Sequence, residues 1–122
     1  MKPTIEQTEK FWEWCGFKQL PKGNRFYHFE QTRKVMDWQA PSSETIPYLP
    51  SLDLNNLFKY AVPKLITLGY DCLISTSEDF YECEICDSRF PPVKQAQLKQ
   101  DKDPALALFW AIYKVIEEET ET

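Results

Sequence analysis

The chain has 122 residues, of which 43% are hydrophobic and 15% aromatic. That is long enough for a proper core and too apolar for a disordered segment. The formal net charge is −5, which argues against a broad phosphate-binding face, because affinity for nucleic acid comes largely from clustered Lys and Arg. The imbalance lies in the second part: residues 1–50 carry seven Lys/Arg against six Asp/Glu, residues 51–122 seven against thirteen.

No apolar run approaches the length of a membrane span. The opening MKPTIEQTEKFWEW lacks the apolar stretch and cleavage pattern of a signal peptide. The expectation is one cytoplasmic domain in a bacterial host cell, with its four cysteines reduced and no membrane partner.

Thr4 and Gln7 have capping-box spacing at the head of a helix, with Ile5, Thr8, Trp12 and Cys15 on its stripe and Gly16 as its stop. In residues 17–50, PKGN signals a turn before the aromatic run RFYHFE, which has the composition of a strand. The following WQAPSSETIPYLPS has three prolines and no period, and reads as an extended connector.

The period sharpens from residue 51. Asp53 is placed to cap a helix whose stripe is Leu54, Leu57, Phe58, Ala61, Leu65 and Leu68, closed by Gly69. Pro63 inside it cannot donate to the Lys59 carbonyl, so a kink or two shorter helices are expected. A hairpin follows over 72–76 and 80–87: Cys72, Ile74 and Thr76 alternate with Leu73 and Ser75, and Tyr81, Cys83 and Ile85 alternate with Glu82 and Glu84. One face should be buried and one wet. PPVKQAQLKQDK reads as a polar loop with room for a short edge strand. Asp103 as N-cap and Pro104 at the first helical position then open the last helix. Its stripe of Ala105, Leu108, Phe109, Ile112 and Ile116 is broadened by Leu106, Trp110 and Tyr113, which implies burial on more than one side. Residues 118–122 read as an acidic, frayed tail. The fold class is α+β, a small antiparallel sheet packed by two to three helices, with α-β-β-α order in 53–117.

The order helix, hairpin, loop, helix in 53–117, carried by LDLNNLFKYAVPKLITLGYD, the amphipathic hairpin and DPALALFWAIYKVIE, resembles the phage ABA-sandwich domain, a family of small bacteriophage and prophage proteins. The FWEWCGF opening also resembles N-terminal segments of such proteins. The resemblance covers a little over half of the chain and implies a fold and a phage setting, with no catalytic residue or cofactor to carry over. A long Pro-rich segment before the domain and a polar insert before the last helix depart from it.

The sharpest chemical signal is FYECEIC, residues 80–86, where Cys83 and Cys86 have Cys-x-x-Cys spacing. Residues three apart on a strand point to opposite faces, so the two cannot share one metal unless the strand breaks. Structural zinc usually takes a second pair, and a reactive pair prefers a helix start that stabilises the thiolate. Glu82, Glu84 and Asp87 would raise a thiol pKa instead. The reading is Cys72 and Cys83 as core hydrophobes with Cys86 near the strand end; the alternative is a zinc or thiol site at Cys83 and Cys86, completed across the sheet by Cys72 and by Cys15 or His28. His28 between aromatics reads as a packed or surface residue, and Glu82 with Glu84 as a solvated face.

Double-stranded RNA binding is disfavoured, because QDKDPALALF sets one lysine between two aspartates where such domains carry a lysine cluster. A single-strand groove would rest on Lys18, Lys22, Arg25, Arg33 and Lys34 interleaved with Phe26, Tyr27 and Trp38. The four tryptophans and the other rings of the first half exceed what one small domain buries easily, which suggests a shared surface with candidate binding residues Arg25, Tyr27, Trp38 and Tyr48. The expected function is a non-enzymatic phage or prophage accessory protein that binds a host protein, a nucleotide-like ligand or itself, without cofactor.

Overall fold

A computed structural model describes residues 1–20, 37–89 and 97–120. The chain forms two compact units, Thr4–Pro50 and Met1–Pro3 with Ser51–Thr122.

The Thr4–Pro50 unit begins with α1 (Ile5–Trp14), whose capping box is formed as the spacing requires: Thr4 Oγ1 accepts from the Gln7 N–H at 3.1 Å, and Gln7 Oε1 accepts from the Thr4 N–H at 2.9 Å. Gly16 closes it at φ +108°. The expected stripe needs one correction. Phe11, Trp12 and Cys15 are buried, but Ile5 is 78% exposed, because this face is covered only toward the C-terminal end of the helix. Phe11 and Phe17 both stand edge-on to Trp12.

A three-stranded antiparallel sheet follows, in the order β1 (Lys18–Leu20), β2 (Asp37–Gln39), β3 (Thr45–Ile46). The expected connector over WQAPSSETIPYLPS is therefore corrected: it opens with a hairpin that pairs Trp38 with Ile46 and Gln39 with Thr45. Pro41 sits in the turn, where it breaks no ladder bond. Ala40 closes the turn by donating to the Glu44 carbonyl, and Ser43 adopts the left-handed conformation at φ +73°.

The other unit carries the elements that the period marked most clearly. Asp53 caps α2 (Leu54–Asn56) by accepting from the Asn56 N–H at 2.8 Å. The backbone then widens into one π-helical segment, Leu57–Ala61, before α3 (Val62–Thr67). The Val62 N–H donates to the Leu57 carbonyl five residues back. This wide turn is how the helix accommodates Pro63, which has no N–H for the next bond. It also corrects the stripe. Leu57, Ala61, Val62 and Leu65 are buried while Phe58 is exposed, because five-residue spacing re-phases the helix at this point. Gly69, at φ +95°, turns the chain into the sheet.

The sheet has the order β4 (Tyr70–Thr76), β5 (Tyr81–Asp87), β6 (Gln97–Asp101), all antiparallel. The expected hairpin is present and extends two residues earlier on its first strand, and the edge strand forms at its far side. Ser77 closes the hairpin by donating to the Phe80 carbonyl. Then α4 (Pro104–Thr120) starts where Asp103 accepts from the Ala105 N–H at 2.8 Å. It lies on β5 and β6 and also meets the π segment and α2. That accounts for the burial of Ala105, Ala107, Leu108, Phe109, Ala111, Ile112, Tyr113, Val115 and Ile116 on more than one side. The acidic stretch from Glu117 continues this helix to Thr120 rather than beginning a frayed tail at 118. Trp110 Nε1–H donates to the Met1 carbonyl at 2.8 Å, holding residues 1–3 to this unit.

At the β4 start, Gly69 lies under Arg89: a Cβ there would meet Arg89 Cγ at 3.1 Å, in a backbone conformation that L side chains rarely adopt. Gly69→Ala is expected to lower unfolding free energy by about 1–2 kcal/mol in urea titration. An unchanged midpoint would contradict the strained turn.

Candidate functional site

The register of the larger sheet decides where its chemistry goes. Residues directly across neighbouring strands share a face. Ile74 pairs with Cys83 and Cys72 with Ile85, so these four face one way. Cys83 and Ile85 are buried, and Cys72 and Ile74 half-buried, on the face that α4 covers.

Among the described residues of this unit, no helix covers the other face. Its rows are Asp71 and Cys86; Leu73, Glu84 and Leu98; Ser75, Glu82 and Gln100. Leu73 is 62% exposed and Leu98 51%. Glu84 stands between them on the central strand. It accepts from the Cys86 thiol at 2.8 Å, and Glu82 accepts from the Gln100 side-chain amide. Both bonding partners are neutral, and no Lys or Arg belongs to these rows.

The unbroken strand sends Cys83 and Cys86 to opposite faces, so it does not bring them together as a zinc or thiol pair. Among the described residues no group of three or more His, Cys, Asp or Glu side chains converges as metal ligands would. Nor are the three thiols of this sheet activated. Burial, with repulsion from Cys72, pushes Cys83 up to about 12. Cys86 is pushed up to about 11, first by its hydrogen bond to Glu84, then by burial and the charges of Glu84 and Asp71. Burial also raises Cys72. Cys15 is buried and belongs to the Thr4–Pro50 unit.

A second polar cluster sits at the sheet end. Asp87, with a fully buried side chain, receives the Arg89 fork as two bonds of 2.8 Å, and the guanidinium lies 5.4 Å from the Tyr70 ring centre. Burial and then the charge of Glu119 raise the Tyr70 pKa, against the opposing pull of Arg89. Ser88 ties the same corner by donating from both N–H and Oγ to the Gly69 carbonyl. The fork satisfies a buried carboxylate and locks the turn, which is a structural task.

The binding residues expected in the first half divide. Arg25, Tyr27 and His28 lie outside the described residues, as do Lys22, Phe26, Arg33 and Lys34. Trp38 is only 6% exposed, so it offers no stacking surface. Tyr48 is 80% exposed. Of the four tryptophans, Trp12 and Trp38 are buried, while Trp14 and Trp110 are half-buried. Leu73 and Leu98 escaped sequence reasoning. Leu73 was legible as the wet-face apolar member of an alternating strand, but Leu98 needed the β6 register.

Two outcomes follow at the thiols. At pH 8 native Cys86 should alkylate slowly, and Glu84→Gln should speed it roughly tenfold or more by removing the main cause of its raised pKa. Mass-spectrometric alkylation kinetics check this, and a wild-type rate equal to that of a free thiol would contradict it. Because the folded state raises the Cys83 pKa from 9.0 to about 12, its contribution to stability is complete below pH 9 and is lost as pH rises toward 12. Urea titrations across that window should show stability falling, and less so for Cys83→Ala. No family model, no curated protein and no solved structure matches this chain.

Proposed function

We propose that the chain acts by binding a protein partner on the open face of β4, β5 and β6, without catalysis. One observation carries this reading: Leu73 and Leu98 stay exposed on either side of Glu84, on the face opposite α4. A purely solvated face gains nothing from leucines there, whereas a partner that covers them removes apolar area from water. In the bacteriophage or prophage setting that the resemblance implies, the partner is a host protein.

A photo-crosslinking side chain at Leu98, in full-length protein expressed in bacteria, tests this directly. The expected result is a discrete protein adduct that Leu73→Ser diminishes and that the same group at Ile66, exposed on α3, does not give. Equal adducts from both positions, or none from either, would contradict a docking role for this face.

A further inference from the structure

The geometry points to a cationic amphipathic helix as the segment that this face takes. The inference rests on the docking role above and adds the chemistry and direction of the partner. Asp71, Glu82 and Glu84 supply every ionisable carboxylate or amine on the three rows, and Cys86 beside them is held as a neutral thiol. In an ordinary wet sheet face, cross-strand neighbours of a glutamate are often of opposite charge and stabilise it. Here Glu84 has a leucine on each side, and Glu82 has Ser75 and Gln100. Glu82 and Glu84 are also two residues apart on one strand face, so their like charges repel across about 7 Å. A Lys or Arg brought to this spot relieves that repulsion, and an acidic or purely apolar partner does not.

The spacing selects a helix lying across the strands. Leu73 and Leu98 are separated by two strand spacings, about 10 Å. Apolar residues seven apart on a helix are also about 10 Å apart along its axis. With these seated near the leucines, a Lys or Arg midway between them on the same helix face comes over Glu84. Lys99, the cation nearest on β6, pairs with Cys83 and so belongs to the opposite face, leaving nothing on the rows to repel the incoming charge.

The test uses fluorescence anisotropy with full-length protein and short labelled synthetic peptides. The first carries leucine at helical spacing with lysine beside it. The second replaces lysine by glutamate, and the third replaces leucine by serine. The first should bind, weakening as salt is raised. It should lose about tenfold in affinity to Glu82→Gln/Glu84→Gln and about tenfold or more to Leu73→Ser/Leu98→Ser. The two control peptides should bind wild type at least about tenfold more weakly. Undiminished binding to either double variant, or equal binding of the glutamate peptide, overturns the inference.

The cellular adduct at Leu98 separates this from the reading beneath it. An adduct that persists undiminished in Glu82→Gln/Glu84→Gln overturns the cationic partner and leaves the docking face standing. An adduct at twice the chain mass, a second copy on the face, also overturns it. Absence of any adduct removes the docking role itself.

Discussion

The packing of α4 on one side of β5 is the constraint from which the rest of the larger unit follows. Cys83 and Ile85 sit beneath the helix, and the two-residue period of a strand then leaves Glu82, Glu84 and Cys86 no choice of face. A slip of one residue would put two glutamates under α4 and turn the core residues to water. The desolvation cost of such burial is large enough to make the register nearly unique. The open face is thus a consequence of the core, and its mix of leucine and carboxylate is specified by the same strand that specifies the interior.

That coupling explains the behaviour of the cysteines. Their spacing invites a metal or redox reading, yet spacing acquires chemical meaning only once the backbone path is known. On a tight turn two such thiols converge; on an unbroken strand they diverge. Cys83 becomes a small core hydrophobe. Cys86 becomes a protonated donor to Glu84, which helps hold that carboxylate in place on the open face.

Much of the fold was legible because its signals were local or strictly periodic. Thr4 with Gln7, Asp53 and Asp103 each cap a helix through contacts a few residues away, and Gly16 and Gly69 take the positive φ angles that end helices. Alternation over residues 72–76 and 81–85 marked the hairpin and the face of each side chain in those two stretches. Legibility stopped where the decisive contact was distant or the period changed. The π segment shifted Phe58 to water and Val62 to the interior, which a fixed helical period cannot anticipate. The prolines of WQAPSSETIPYLPS hid a short hairpin, since one of them serves as its turn. The candidate face was half visible: Glu82, Glu84 and Leu73 could be placed from alternation, but Leu98 joined them only through pairing with β5.

The two-faced sheet can be tested without any partner by adding a soluble paramagnetic agent and recording leucine methyl signals by NMR. Strong relaxation of Leu73 and Leu98, with Leu57, Leu65 and Leu108 little affected, is the result that an open face opposite α4 requires. Protection of Leu73 and Leu98 to the level of those core leucines would mean that the face is already covered, and a docking role for it would fall.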